Sequence, residues 1–575
     1  MHYYPDHTPV HVDHKLSIFT YISPDKPAVD GIVIQNNRAL DGDTVYHDGT
    51  SVLSIHSRCT KHIVGVLEIT KLKIYGYTNK GLPIYNMVPL SWRFPHFQVP
   101  SSILKGWDKS KPLCNVYVLI TFKEWTLTQK YPMGSCVKVL GYVTDHVSLD
   151  LAILHKNHIC TKAHDPRTVL SLRHVPRDVY RVQYDAAPIV AIDPLGSLDY
   201  DDAFHISEDK VYVHIADVDY FFPKDGTYEE EIARRLTTVY GADSGVYNML
   251  PHIYSTDIIS LNTNGKKKVI TVELQYNGGT LIAHKVFLSD IQVKCNITYD
   301  EAQKKKNQTL FSDIFRLTGA RDIHKVVEKL MIIANSYIAE TLCAANIYFL
   351  RACESNPVSY TVDTDIECLS YLHKRNKQGA QYTTEDKAHE LLGIQHYTHF
   401  TSPIRRYADL IVQRLLKSIL YNEPAPYSNE ELHDIACRIN ECNARVKRYY
   451  RDASIVKLYK DIGDYVTRTE GYVVQYNEIS NAVTVYLPEY NMEYSYALYS
   501  DKLKHLWSVC DEGDLLRITC GTENHTEHTE TSTIVIPKYK ELDINLSTNS
   551  QEIRLNKKVI MRICAITESL LEQSA

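Results

Sequence analysis

The feature that most restricts how this chain can fold is a group of four aspartates, Asp193, Asp199, Asp201 and Asp202, held within ten positions between two apolar segments. Residues 187–192 (Ala-Pro-Ile-Val-Ala-Ile) lead in, and residues 211–215 (Val-Tyr-Val-His-Ile) alternate on the way out as a half-buried strand does. The strands draw the loop toward a core, where four carboxylates repel one another unless positive charge sits among them. Oxygen donors alone suit a hard cation, magnesium before calcium, and disfavour zinc or copper. An EF-hand calcium loop needs glycine at its sixth position and glutamate at its twelfth. Counted from Asp193 those places hold Leu198 and Phe204, and counted from Asp199 they hold Phe204 and Lys210, so that reading fails. Two readings stay open on the loop alone: a solvated acidic turn, and a metal site that activates water and steadies charge on a phosphate.

A metal site of that kind also needs a protein cation, and residues 401–407 (Thr-Ser-Pro-Ile-Arg-Arg-Tyr) supply one. Ser402 suits an N-cap and Pro403 the first helical position, so a helix is expected to start there. Arg405 then falls in the first turn, where free N–H groups and the helix dipole favour phosphate, and a guanidinium grips phosphate oxygens in bidentate fashion. Arg406 and Asp409, three apart, are expected to pair on the helix surface. By itself the segment also reads as a capped helix with ordinary surface charges.

The chain has 575 residues, too many for one core, so several domains are expected. No stretch approaches eighteen uncharged apolar residues, which argues against a membrane span, and the first residues lack the pattern of a signal peptide. Thirteen cysteines are dispersed without a Cys-x-x-Cys pair, which points to reduced thiols in an intracellular setting. The formal net charge of −6 speaks weakly against a nucleic-acid partner, but local basic runs matter more than the average. Candidates are Lys266 to Lys268, Lys304 to Lys306, the Arg405–Arg406 pair, and the series Arg445, Lys447, Arg448 and Arg451. Tyrosines outnumber phenylalanines by 42 to 12, which provides stacking surfaces without proving their use.

Patterning gives the order of domains. Short apolar runs broken by Gly and Asp turns, such as 29–34, 64–67, 116–120 and 137–142, suggest two small β-barrels before residue 165. Helical periodicity dominates 321–347 and 403–460, and the last hundred residues return to β patterning. The expected plan is multidomain α+β: barrels over 1–78 and 79–165, a mixed α+β domain over 166–460, and a terminal OB barrel over 461–575.

The aspartate loop and the arginine segment together resemble the two signature elements of the ribonuclease II (RNB) family. The loop is similar to that family's Asp-x5-Asp-x-Asp-Asp-Ala element, followed by residues 213–218 (Val-His-Ile-Ala-Asp-Val), and residues 401–407 match its Thr-Ser-Pro-Ile-Arg-Arg-Tyr element in full. Residues 37–43, 125–141, 237–240, 249–251, 260–262 and 485–488 resemble the exosome-nuclease (Dis3-like) branch, without its amino-terminal endonuclease (PIN) domain. The resemblance implies two cold-shock barrels, an RNB catalytic domain, and a carboxy-terminal RNA-binding OB barrel. It implies a hydrolytic 3′-to-5′ exoribonuclease that releases nucleoside 5′-monophosphates from single-stranded RNA, using magnesium, with manganese as a substitute. Asp193, Asp199, Asp201 and Asp202 would hold metal, with activity depending most on Asp201, and Arg405 would stabilise the scissile phosphate. Tyr299 resembles a tyrosine beside the 3′-terminal nucleotide, Tyr240 one that stacks on RNA, and Glu328, with Asn335 on the same helix face, lies in a helix similar to one lining the RNA channel.

The sequence also departs from the family. The stretch 301–327 between Tyr299 and Glu328 is short, the stretch 351–389 is trimmed, and Gln413 stands where histidine is usual. None removes a metal ligand; they leave processivity and end-product length open. The alternative is a catalytically inactive RNA-binding regulator on the same scaffold. The expected partner is single-stranded RNA, with an RNA-processing complex as an open possibility, for a cytoplasmic monomer.

Overall fold

The computed structural model describes residues 12–13, 16–20, 38–47, 52–102, 113–171, 180–305, 309–320, 322–354, 366–376, 379–463, 465–498, 507–513, 515–521 and 531–564. The strand expected at 29–34, Lys306, and residues 355–365 of the trimmed stretch lie outside the described residues.

The β-rich amino-terminal part divides in two. Val12–Asp13, Leu16–Thr20, Thr44–His47 and Val52–Ser57 pair in chain order as an antiparallel sheet. Ile63–Leu67, Ile84–Pro89, Phe97–Pro100, Val116–Glu124 and Met133–Tyr142 close into a five-stranded barrel filled by Leu67, Met87, Phe97, Val99 and Ile120. The barrel takes in Ile63–Leu67, before the boundary at 79 read from the sequence, because that strand pairs with both Ile84–Pro89 and Val116–Glu124. Helix α1 (His146–Lys156) follows, capped by the Asp145 side chain on the Ser148 N–H.

The middle of the chain builds a seven-stranded sheet. In chain order its strands are β1 (Val182–Tyr184), β2 (Val190–Asp193), β3 (Asp202–Ser207), β4 (Lys210–Ala216), β5 (Lys267–Asn277), β6 (Thr280–Ile291) and β7 (Cys295–Thr298). Their spatial order is β1-β6-β5-β4-β3-β2-β7, antiparallel except for the outer pairs β1–β6 and β2–β7. The long β5–β6 hairpin turns at Gly278 and Gly279, both at positive φ (56° and 84°), as its tight turn demands.

Helix α2 (Ile323–Ala344) is capped by Asp322 and fits the expected periodicity. The expected helical stretch 403–460 is two helices, α3 (Tyr407–Leu420) and α4 (Asn429–Ile462). Pro424 and Pro426 interrupt them, and Ser428 with Glu431 opens α4 in a capping box.

Every residue from Tyr407 to Ser418 in α3 is buried. A helix enclosed this way must pair its polar side chains, and Asp409, Gln413 and Lys417, four apart, share one face. Gln413 donates to the Ala216 carbonyl at 2.7 Å and accepts the N–H groups of Val218 and Asp219, so it braces the turn after β4. Lys417 reaches Asp217 at 2.6 Å and Asp219 at 2.9 Å, while Arg181 meets Asp217 from β1's side at 2.6 Å. Burial works to raise the Asp217 carboxyl, but Lys417 and Arg181 hold it below the usual range.

Beyond α4, Thr467–Asn477, Ala482–Leu487, Met492–Ala497, Glu541–Thr548 and Val559–Ile563 form one sheet, and Trp507–Asp511, Leu515–Gly521 and Thr531–Pro537 another. Val473, Val485, Ile518 and Ile536 from these sheets share an apolar cluster with Tyr117 of the barrel, Leu149 and Ile153 of α1, and Val456 of α4. The closed barrel, α1, α4 and the carboxy-terminal sheets thereby share one apolar core. Replacement of Lys417 by Met is expected to lower unfolding stability by about 3 kcal/mol, because Asp217 loses one of its two buried cations. Chemical denaturation checks this; a change under about 0.5 kcal/mol, within the range of an ordinary surface substitution, would contradict the account.

Candidate active-site cleft

Strand pairing gathers the aspartates. Asp193 is the last residue of β2 and Asp202 the first of β3, with the acidic loop between these neighbouring strands. On the other side β7 runs parallel to β2, aligning Thr298 with Asp193. Thr298 caps a short helix, Tyr299–Lys304, in a capping box with Glu301, which sets Tyr299 at the wall beside Asp193. Ser260, whose motif the sequence matched but whose role it did not disclose, shapes the loop. Its hydroxyl donates to the Leu198 carbonyl at 2.6 Å and accepts the Tyr200 N–H at 3.0 Å.

The acidic loop is locked to the arginine segment. Asp201, 2% exposed, accepts the Ile404 N–H on Oδ1 at 2.7 Å and Arg405 Nε on Oδ2 at 2.9 Å. Arg405 Nη2 donates to Ser402 Oγ at 3.0 Å. Asp199 Oδ2 accepts the Tyr240 hydroxyl at 2.7 Å. Asp193 Oδ2 is buried with no hydrogen-bond partner.

The expected helix start at Pro403 is corrected: 403–405 form a turn, Arg406 is extended, and α3 begins at Tyr407. Long-range pairing overrides the local capping signal. The Thr238 N–H and Thr237 hydroxyl bond to the Arg405 carbonyl, and the Tyr407 N–H bonds to the Leu236 carbonyl. Arg405 is therefore presented by a braced turn and not by a helix terminus. The Arg406–Asp409 pair forms at 2.8 Å, but inside the protein, with Asp409 fully buried and also accepting the Ser402 N–H.

Burial raises the Asp193 carboxyl to about 8, with the Asp202 and Asp201 charges adding to it. Asp201 is raised by burial to about 7 even though Arg405 and the Ile404 N–H pull the other way. Asp202 reaches about 6 against the pull of Arg405 and Arg406. Burial works against charge on Arg405, yet Asp201 holds it firmly protonated. Tyr299 is pushed up to about 12 by burial and by Asp202 and Asp193, so its hydroxyl keeps its proton at neutral pH.

The cleft around these groups has a volume of about 770 Å³ and is lined by the acidic loop, Tyr240, Tyr299, Val327, Met331, Ser402 and Arg405. Tyr299 stacks on His324 with centroids 4.0 Å apart. Tyr240 is 39% exposed, its ring accessible while its hydroxyl is engaged. Asn248, His252 and Thr256 also line it, and no motif marked them. Glu328 does not line the cleft; it is exposed and pairs with Lys325 at 2.6 Å, while Asn335 is buried and bonds to the Tyr397 hydroxyl and the Phe400 N–H.

The donor set is oxygen-only, one buried carboxylate oxygen lacks a partner, and three carboxyls are held above their ordinary range. A divalent cation among them would reverse that electrostatic penalty, so the residues fit a hard metal ion in their chemistry. Among the described residues no group of three or more His, Cys, Asp or Glu side chains is gathered closely enough to enclose an ion, and Arg405 acts as the counter-charge. Asp193, raised above its unfolded value of about 3.9, opposes folding at alkaline pH, and this opposition fades as pH falls to that value. In EDTA, Asp193→Asn is expected to raise the melting temperature at pH 8 and to leave it unchanged at pH 4. Thermal scans at the two pH values check this; destabilisation at pH 8 would refute it.

Among known proteins, the RNB domain family matches residues 181–313 and 313–422, and the Dis3-like cold-shock domain 2 family matches residues 84–158. The chain is 24% identical over 515 residues to the exosome complex exonuclease RRP44 of Mus musculus, covering 71% of this chain and 53% of that protein. It is 26% identical over 396 residues to ribonuclease R of Aquifex aeolicus, covering 52% and 56%. The chain spans only slightly more than half the length of these curated relatives. Its fold is similar to that of Mycoplasma genitalium RNase R in complex with ribose methylated single-stranded RNA, with a TM-score of 0.70, 18% identity, and coverage of 96% of this chain and 99% of that one. It is equally similar to yeast Ssd1, described as a pseudonuclease, with a TM-score of 0.69, 15% identity, and coverage of 96% and 95%. With both signature segments meeting in one cleft and the family model matched across them, residues 181–422 carry an RNB domain, preceded by a Dis3-like cold-shock domain 2 over residues 84–158.

Proposed function

We propose that this protein is a divalent-metal-dependent exoribonuclease that hydrolyses single-stranded RNA from its 3′ end and releases nucleoside 5′-monophosphates. The observation that carries this reading is the hydrogen-bonded pair of the buried Asp201 with Arg405, on an open cleft that also holds Asp193, Asp199, Asp202 and Tyr299. Asp193, Asp199, Asp201 and Asp202 would hold magnesium, for which manganese is the natural substitute. When bound, the metal supplies an activated water and Lewis-acid neutralisation of phosphate charge.

The chain's own groups do the rest. Arg405, fixed through Nε and Nη2, offers a pre-oriented guanidinium to the scissile phosphate without a loss of side-chain freedom at that moment. The Tyr299 hydroxyl, protonated at neutral pH, donates to the terminal nucleotide from the wall beside Asp193 and Asp202. Tyr240 holds Asp199 through its hydroxyl and presents its ring to a base, a contact that tolerates any sequence. A strand entering such a cleft must be unpaired, and contacts to the 2′-hydroxyl would distinguish RNA from DNA.

A second reading, an RNA-binding regulator without cleavage, is favoured by the similarity to a pseudonuclease and by the open arrangement of the carboxylates. The presence of Asp193, Asp199, Asp202 and Arg405 around one cleft, with the buried Asp201 bonded to Arg405, supports the enzyme. A 5′-labelled single-stranded 30-mer RNA with magnesium separates the two. Shortening from the 3′ end is expected, slowed by roughly a hundredfold or more in Asp201→Asn and abolished by EDTA. The length of the final product shows whether the shortened stretches 301–327 and 351–389 still clamp a short end. Tight binding of intact RNA would instead establish the regulator.

A further inference from the structure

Asp150 lies in α1, the helix that follows the closed barrel, and is fully buried. Four donors converge on it. Its Oδ2 accepts the Asp243 N–H at 2.9 Å, the Ser244 N–H at 2.8 Å and the Ser244 hydroxyl at 2.7 Å, and its Oδ1 accepts the Tyr449 hydroxyl of α4 at 2.7 Å. Tyr449 in turn accepts the Ala242 N–H at 2.9 Å. Three consecutive backbone N–H groups are thus pinned by one carboxyl and one phenol from two other elements. The fit leaves no slack: a Cβ on Gly241 would lie 2.6 Å from the Gly245 carbonyl oxygen and 3.1 Å from Asp150 Oδ2.

What this clamp holds is the tip of a hairpin. Val239–Tyr240 pairs with Val246–Tyr247, and residues 241–245 connect them. Next to the tip the Tyr240 N–H bonds to the Tyr450 hydroxyl, while at the base the Thr238 N–H holds the Arg405 carbonyl. At its side the Tyr240 hydroxyl reaches Asp199. A hairpin of two-residue strands is not stable by itself, so its position is imposed by these contacts.

We infer that Asp150 is a positioning residue: by fixing the hairpin tip it sets Tyr240 against Asp199, so that the barrel's helix, α4 and the acidic loop act as one rigid unit. Nothing in the local pattern of α1 asks for a buried acid there; an apolar residue would pack, and the carboxyl is accounted for by the donors it satisfies. The inference rests on the nuclease reading only for its consequence in catalysis, and its geometric half can be read without any activity.

The test introduces Tyr240→3-fluorotyrosine in the full chain and compares its fluorine resonance with and without Asp150→Asn, a nearly isosteric change that turns one acceptor into a donor facing donors. A shifted, broadened resonance is expected. In RNA cleavage, Asp150→Asn is expected to lower kcat roughly ten- to a hundredfold with KM nearly unchanged, and to cost less than about twofold when Tyr240→Phe is already present. An unmoved resonance overturns the inference, and so does an equal loss in both backgrounds, which would mark Asp150 as a structural anchor acting elsewhere. A wild-type protein that does not cleave RNA removes the nuclease reading and leaves the resonance to decide the clamp. If Asp150→Asn does not fold, Tyr449→Phe, which withdraws one donor from Asp150 and the acceptor of the Ala242 N–H, carries the same comparison.

Discussion

The hydrogen-bonded ion pair between Asp201 and Arg405 is the interaction on which the rest of the site depends. It joins residues 204 positions apart, one from a loop between sheet strands and one from the turn that precedes a buried helix. Without it, the acidic loop would keep the buried Asp201 carboxylate uncompensated, and the half-exposed Arg405 guanidinium would be oriented by Ser402 Oγ alone. Together with the Ile404 N–H on the same carboxyl, the pair fixes both the depth of the loop and the direction in which Arg405 faces the cleft.

Behind this pair lies a second charged layer that contributes stiffness. Asp217, Asp219 and Glu229 are matched by Arg181, Arg414 and Lys417 between the end of the sheet and the helix Tyr407–Leu420. There the charges balance and Asp217 is held ionised, whereas in the cleft the carboxyls outnumber the cation and are pushed toward their neutral forms. The contrast separates a structural network from a site poised to accept a further positive charge.

The acidic loop was legible from the sequence because its message is local: four acids at short spacing between strands, and both segments do meet in the cleft. The helix start was not legible, because Ser402 and Pro403 are sound capping residues whose preference is overruled by pairing with residues 236–238, far away in the chain. Glu328 and Asn335 share a helix face as their spacing requires, yet one pairs with Lys325 at the surface and the other is buried, a difference set by the Tyr397–Phe400 segment that packs there. Asp150 gave no signal at all, since a single acid in an apolar helix reads as a solvent-facing residue until its four donors are seen. Domain order followed from turn spacing, while the barrel's first strand depended on partners fifty residues later.

The most direct test of the account is a crystal structure of the protein soaked in manganese at pH 7.5, read by anomalous scattering. The expected result is a peak coordinated at about 2.1 Å by carboxylate oxygens of Asp193, Asp199, Asp201 or Asp202, with the acidic loop closed upon it and Arg405 still facing the cleft. A cleft without an anomalous peak at saturating manganese, with Arg405 still paired to Asp201, would contradict the proposal that these aspartates form a metal centre.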